Sequence, residues 1–357
     1  MELQPGTWIT PNVRLIRPLK EGGMSSVWAA ADMRLHTQVA VKFLSPKLIT
    51  DQNTRGRFER EAQLSRQIES PHLVHTYDHG VLPNSTPYIV MEWLEGESLK
   101  ERLEREGRFR PRDALSVTGQ LCRALSKAHS MGVVHRDVKP DNVFVLRSER
   151  DILVKLLDFG IAKRIKPGYD SVVTDKHETL GTPAYMSPEQ LRHASRVDPR
   201  ADLWSVAVLA YRMLLGVNPF SGPDYPALLL AICEASYRPP TTYDKRWPRA
   251  LDAWFQRSFR IDRDQRFRSA DEASTSLALA IAELGETQPA GAEVAQGSGP
   301  EIVERPSWPG AMPPPEPSWQ SFMGDAPPMS TRSAVSVDKS WEQEDTDDDK
   351  TIQRTRR

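Results

Sequence analysis

Eight consecutive residues, His135-Arg136-Asp137-Val138-Lys139-Pro140-Asp141-Asn142, hold the densest chemistry in the chain. A carboxylate such as Asp137 can accept a proton from a hydroxyl group. Lys139 can neutralise charge that builds on a transferring phosphoryl group. Asn142 and an aspartate supply hard oxygens of the kind a magnesium ion takes. A polar loop in this order does not arise readily by chance. A second carboxylate, Asp158, stands 21 residues beyond Asp137, in Leu156-Leu157-Asp158-Phe159-Gly160. There a strand delivers an acid at its end and a glycine frees the backbone. Alone, that tripeptide could be an ordinary turn; its distance from Asp137 gives it weight.

Two further constellations precede these. Leu19-Lys20-Glu21-Gly22-Gly23-Met24-Ser25-Ser26-Val27 sets adjacent glycines between two predicted strands. Gly22 and Gly23 let a hairpin backbone come close to phosphate oxygens and offer them its N–H groups. Standing alone, such a pair more often makes a plain turn. Val39-Ala40-Val41-Lys42 sets a lysine on an otherwise apolar strand. That position is costly unless an anion faces the lysine or its head snorkels to water. Glu61 is the candidate anion. It lies on a helical stretch crowded with Arg55, Arg57, Glu59 and Arg60, so a solvated charged face competes with the pairing.

Positioning these groups takes a strand-rich region followed by a helical one. Strands are predicted over 13–19, 27–32, 38–43, 73–79 and 88–93, interrupted by one helix over 54–68. Beyond residue 98 the pattern turns helical. Leu115, Val117, Leu121, Leu125 and Ala128 recur at helical spacing within 112–131. Helices are also predicted over 203–215, 226–235 and 269–283, the last opening with Ser269 and Glu272 in capping-box spacing. A strand over 143–146 follows the 135–142 loop. A β-rich lobe joined to a helical lobe leaves a cleft, a common place for a ligand.

Composition changes near Gly285. Residues 285–357 hold 10 of the 29 prolines, with 13 Asp/Glu against 7 Lys/Arg. Such a segment buries too little surface to offset its ordering entropy, so a Pro-rich, acidic, disordered tail is expected. The formal net charge of −1 gives no pull toward nucleic acid or membrane. Cys122 and Cys233, far apart in sequence, form neither a disulfide framework nor a metal site, which points to a reducing cytoplasm. Residues 1–8 lack an apolar signal core, and the most apolar stretches, 203–215 and 227–233, are too short to span a bilayer. A cytoplasmic chain with no nucleic-acid partner and no membrane span is expected.

The glycine-rich hairpin, strand lysine, helix glutamate, 135–142 loop, Asp-Phe-Gly at 158–160 and Ser187-Pro188-Glu189 stand in a telling order. Together they resemble the signature set of the eukaryotic-type (Hanks-type) serine/threonine protein kinases, especially the bacterial members. The likeness covers about residues 10–284. It implies an α+β, bilobal protein kinase fold: a β-rich N-lobe over about 10–94, an α-helical C-lobe over about 95–284, then the tail. It implies transfer of the ATP γ-phosphoryl group to serine or threonine hydroxyls of protein substrates, with Mg2+ or, in its place, Mn2+. Lys42 would bind the α- and β-phosphates and pair with Glu61. Asp137 would orient the substrate hydroxyl and take its proton, Lys139 would steady the γ-phosphate, and Asn142 and Asp158 would hold the metal. Glu92, Trp93 and Leu94 would present backbone groups to adenine, with Met91 as gatekeeper. Leu19, Val27, Ala40 and a residue near Val145 would sandwich the base. Asp202 would brace the catalytic loop, and Arg266 would pair with Glu189.

The resemblance extends to specificity and switching. Lys139 and Gly181-Thr182-Pro183-Ala184-Tyr185 resemble the serine/threonine branch, in which the Thr182 equivalent bonds the catalytic aspartate and lysine. Arg136 resembles the family's docking point for a phosphorylated activation loop. That loop carries Ser171, Thr174 and Thr179; the last two are the preferred autophosphorylation sites, modified in trans within a homodimer. In the tail, Thr346 with Asp349 three residues on resembles the phosphothreonine motif read by forkhead-associated domains, and Thr351 and Thr355 follow it. Four positions depart from the pattern. Lys20 takes the first loop glycine's place and Ser25 the third's, Ser187 replaces alanine, and Ala207 replaces glycine. Lys20 at that place would either slow nucleotide exchange or favour phosphate binding. A pseudokinase is disfavoured by Lys42, Asp137, Asn142 and Asp158 standing together. A small-molecule phosphotransferase is disfavoured by the activation segment ending at Glu189.

Overall fold

The computed structural model describes residues 3–148, 151–158, 183–192 and 197–286. Five strands form one antiparallel sheet: β1 (Val13–Glu21), β2 (Ser25–Asp32), β3 (Thr37–Leu44), β4 (Thr76–Val81) and β5 (Pro87–Glu92), in the order β1-β2-β3-β5-β4. Alternation along β3 assigns the two faces. Val39, Val41 and Phe43 pack with Leu15, Trp28, Ala30 and Val90 on one side. Ala40, Lys42 and Leu44 turn to the other. There Leu44 and Ile89 pack on Phe58 and Ala62 of α1 (Gln52–Gln67). Burial of Phe58 and Ala62 necessarily turns Glu61, on the same helical face, toward the sheet.

One strand boundary moves. The strand expected over 73–79 joins the sheet only from Thr76. Leu73 instead forms a parallel bridge to Leu156 and packs into the core of the helical region. Leu156 N–H donates to His72 O at 2.8 Å and Val74 N–H to Leu156 O at 3.0 Å. The apolar pair Leu73-Val74 therefore stitches the strand-rich region to the helical one.

In the helical region α2 (Leu99–Glu106) and α3 (Pro111–Ser130) are followed by α4 (Pro188–Arg192), α5 (Arg200–Leu215), α6 (Tyr225–Cys233), α7 (Arg249–Ser258) and α8 (Ala270–Glu286). α5 is buried almost all round, which makes it the central post. α3 packs its Val117, Leu121, Leu125 stripe against α5 and α8, and α7 packs on α8. α2, α4 and α7 are additions to the expected helices. α2 buries only Leu99 and Leu103 but opens with a complete capping box between Ser98 and Glu101. The capping box expected at 269–272 is half formed: Ser269 Oγ accepts from Glu272 N–H, but the Glu272 carboxylate accepts from Arg268 N–H. A second sheet, β6 (Gly96–Ser98), β7 (Val143–Leu146) and β8 (Leu153–Leu156), carries the 135–142 loop before β7 and Asp158 after β8. No helix among the described residues is long and apolar enough to cross a membrane. The expected tail lies outside the described residues, beyond Glu286.

Candidate active site

Strand register gathers the first group of residues. β2 sets Val27 beside Lys42, and β5 sets Met91 beside Ala40. Val27, Ala40, Lys42 and Met91 thus share the sheet face that α1 partly covers. Lys42 Nζ donates to Glu61 Oε1 at 2.9 Å and stands 3.0 Å from Asp158 Oδ1. Lys42 is 8% exposed and Glu61 3%, so the lysine is buried between anions and does not snorkel. Burial works to lower the ammonium's pKa, but the Asp158 and Glu61 carboxylates outweigh it and hold the group above the ordinary lysine range. Burial raises the Glu61 carboxyl, Asp158 adds to that rise, and Lys42 opposes it. One ammonium between two carboxylates leaves the cluster short of positive charge, and the partly exposed Asp158 is where a cation can supply it.

The second group is built by the loop between α3 and β7. Asn142 Nδ2 donates to Asp137 O at 2.8 Å and to Asp137 Oδ2 at 2.7 Å. Lys139 Nζ lies 3.5 Å from the same Oδ2. Leu157 N–H donates to Asn142 O at 2.8 Å, tying the exit of β8, and with it Asp158, to this loop. Both Asn142 amide hydrogens serve Asp137, which leaves Oδ1 as the hard-oxygen end. Among the described residues no three His, Cys, Asp or Glu side chains cluster as a metal cage. A metal held by Asn142 and Asp158 would complete its shell with phosphate oxygens and water, and Mg2+ binds in that manner.

The loop is held in a strained backbone. Arg136 has φ 67° and Asp158 φ 39°, left-handed conformations that cost about 1–3 kcal/mol each in a non-glycine residue. Asp202, 1% exposed at the start of α5, counters this at Arg136. Its carboxylate accepts from His135 N–H at 2.8 Å, Arg136 N–H at 2.7 Å and His129 Nε2 at 2.8 Å. His135 Nε2 donates to Leu157 O at 2.9 Å while its Nδ1 accepts from Asp137 N–H at 3.3 Å. Farther out, Arg266 grips Glu189 through two bonds of 2.7 and 2.9 Å, and its guanidinium lies 4.8 Å from the Trp204 ring centre.

The remaining expected residues lie around these groups. Gly22 N–H closes the β1–β2 hairpin on Ser25 O at 3.0 Å, and open space surrounds Gly23. Leu19 is 38% exposed at the end of the sheet. Leu94 is half-buried just beyond β5. Glu92 has a side-chain role that sequence reasoning missed: its Oε1 accepts from His75 N–H at 2.7 Å and from Lys155 Nζ at 2.6 Å, bridging β5 to β8. Gly96 was missed as well. Its φ of 152° excludes most side chains, and an added Cβ would overlap the Val145 carbonyl oxygen. The Glu-Gly-Glu step after β5 was the available signal. Ser171, Thr174, Thr179 and Thr182, like Thr346, Thr351 and Thr355 of the tail, lie outside the described residues.

Comparison with known proteins accords with this arrangement. The model of the family "Protein kinase domain" matches residues 14–272. The chain is 38% identical over 281 residues to the serine/threonine-protein kinase pkn2 of Myxococcus xanthus, covering 77% of this chain and 33% of that protein. It is 36% identical over 259 residues to the serine/threonine-protein kinase PknB of Mycobacterium tuberculosis, covering 72% of this chain and 41% of that one. The chain thus spans less than half the length of these relatives. Among solved structures, the PknI kinase domain of Mycobacterium tuberculosis superposes with a TM-score of 0.59 at 25% identity, covering 78% of this chain and all of that domain.

Proposed function

Since the chain belongs to the protein kinase family, we propose that it transfers the γ-phosphoryl group of ATP to serine or threonine hydroxyls of protein substrates. The observation that carries this reading is the continuity of the charged groups. Lys42 joins Glu61 to Asp158, the Asp158 strand is tied to Asn142, and Asn142 holds Asp137 beside Lys139. Lys42, fixed by Glu61, positions the α- and β-phosphates. Asp137, aimed by Asn142, orients the hydroxyl and takes its proton. Lys139 offsets charge on the transferring group. Asn142 and Asp158 are the metal-holding residues, and Mg2+, when bound, neutralises charge on the phosphates. The Val27, Ala40 and Met91 face, with Leu19, receives the base, whose edge meets backbone at Glu92 to Leu94. Transfer of this kind needs positioning and electrostatics more than covalent help.

The catalytic domain is assigned to about 10–284, followed by the acidic tail. Lys139 and Thr182 support the serine/threonine branch. Phosphate on Thr174 or Thr179, placed there in trans within a homodimer, docks on Arg136. Phosphorylated Thr346, Thr351 or Thr355 in the tail presents an epitope to a forkhead-associated partner. The cysteine usage supports a cytoplasmic location. The direct test is transfer from Mg-ATP to a generic basic protein. Lys42→Ala and Asp137→Asn should each lower the rate by about 10²- to 10⁴-fold while the circular dichroism spectrum stays that of the wild type. Near-wild-type transfer by the Asp137 variant would sink the mechanism.

A further inference from the structure

Gln190 is buried in α4, outside every group so far given a role in transfer, and both ends of its amide are engaged. It is 3% exposed, and its neighbour Ser187 is fully buried. Its Oε1 accepts from Ser187 N–H at 3.1 Å and from Ser187 Oγ at 3.2 Å. Its Nε2 donates to Arg136 O at 2.8 Å. The orientation is forced by chemistry: a flipped amide would set oxygen against the Arg136 carbonyl and nitrogen against the Ser187 N–H. Ser187, which stands where the family pattern has alanine, therefore orients Gln190.

The Arg136 carbonyl belongs to the peptide that leads directly into Asp137. Arg136 carries a left-handed φ of 67°, so the backbone that joins this peptide to the one before it is strained. Asp202 holds the preceding peptide through the Arg136 N–H, and the Asp137 N–H of this peptide donates to His135 Nδ1 at 3.3 Å. Gln190 holds the opposite edge of this peptide, through the Arg136 carbonyl. α4 is itself anchored from behind, because Glu189, the preceding residue, is gripped by the buried Arg266. We infer that Gln190 is a positioning residue for Asp137: the Ser187–Gln190 bracket sets the plane of the Arg136–Asp137 peptide and so aims the Asp137 carboxylate at the substrate hydroxyl. This inference rests on the proposed phosphoryl transfer. It adds a route by which the end of the activation segment, at Ser187, acts on the catalytic loop through the backbone instead of through the Arg136 side chain.

The test compares Gln190→Leu and Gln190→Glu with the wild type in steady-state transfer from Mg-ATP. Gln190→Leu keeps the bulk and loses the bond. It should lower kcat on the order of 10- to 100-fold, the scale of a modest misplacement of a reacting group. KM for ATP should stay the same, because Lys42, Asn142 and Asp158 are untouched. Gln190→Glu gives a signature that a merely structural residue would not. Ionised, the carboxylate repels the Arg136 carbonyl; protonated, it can donate to that carbonyl while still accepting from Ser187. Its kcat relative to the wild type should therefore climb as pH falls from 8 to 6. An active wild type with an equally active Gln190→Leu, or a flat ratio for Gln190→Glu, overturns the positioning role alone. Failure of the wild type to transfer phosphate overturns the functional reading and this inference with it.

Discussion

At Lys42 a single ammonium answers two carboxylates, and the consequence is a pH dependence whose sign can be worked out. Burial, with Asp158 beside it, raises the Glu61 carboxyl above its ordinary range. The folded chain therefore binds that proton more tightly than the unfolded chain. The stability contributed by this group is present at low pH and is lost as pH rises through the raised value. Activity runs the other way, since protonated Glu61 no longer holds Lys42 as an ion pair. On acidification kcat/KM should fall from nearer neutrality than an exposed glutamate would allow. Glu61→Gln should show a lower plateau without that acid limb. Over the same window the melting temperature of the wild type minus that of Glu61→Gln should rise as pH falls; a difference that is flat or falls on acidification contradicts the raised carboxyl. At this scale the sequence was legible wherever chemistry is local. Asp137, Lys139 and Asn142 are neighbours in sequence and remain neighbours in space. Glu61 was readable only as one charge among many on α1, because what selects it is the burial of Phe58 and Ala62 beside it. Gln190 carried no signal, since its partner Arg136 lies 54 residues away and the contact is to backbone.

Elements that depend on their neighbours were the ones sequence patterns missed. β6 has three residues and no alternation of its own; it exists because β7 pairs with it, Gly96 opposite Leu146 and Ser98 opposite Phe144. The strand before β5 begins later than its apolar pattern suggests, because Leu73 packs into the helical core and Val74 N–H bonds Leu156 O. By contrast, α2 could have been found from the Ser98 and Glu101 spacing, and α7 from Leu251, Trp254 and Phe255, which fall on one helical face. Gly96 turns this dependence into a measurement. It sits between the segment proposed to meet adenine and β7, which leads out of the 135–142 loop. Gly96→Ala would drive a methyl group into the Val145 carbonyl and require a φ of 152° from an L-residue. The expected cost is about 1–3 kcal/mol of stability. Displacement of β6 from β7 should also raise KM for ATP more than it lowers kcat. Gly107→Ala provides the control: Gly107 has φ 73° at the end of α2, with open space around it. That variant should lose about 1 kcal/mol of stability and leave KM for ATP unchanged. Equal KM shifts in both variants, read from initial rates over a nucleotide series, would detach β6 from the nucleotide site.

For the whole molecule, the question is where the folded body stops. The family match ends at residue 272, in the first turn of α8, yet the helix continues to Glu286. The residues beyond 272 are structural. Ala273, Leu277, Ala280 and Ile281 are buried, and Leu284 packs partly against the same core. Burying Leu277 and Ile281 contributes about 1.5–3 kcal/mol each. Trp254 Nε1, itself buried, donates to Ala273 O at 3.0 Å, and that acceptor disappears if the chain ends at 272. An unpaired buried N–H costs about 1–3 kcal/mol more. Against a total of about 5–15 kcal/mol for a domain, these losses are decisive. A chain ending at residue 272 should melt far below the full chain or fail to accumulate as soluble protein. A chain ending at residue 286 keeps every one of these contacts. It should match the full chain in melting temperature and in transfer to a generic protein substrate. Thermal melts and initial rates on the two truncations decide the matter. If the 286 chain is inactive or melts early, residues beyond α8 belong to the folded body and the domain boundary near 284 is misplaced. If the 272 chain melts with the full chain, α8 is dispensable and the packing of Leu277 and Ile281 contributes little.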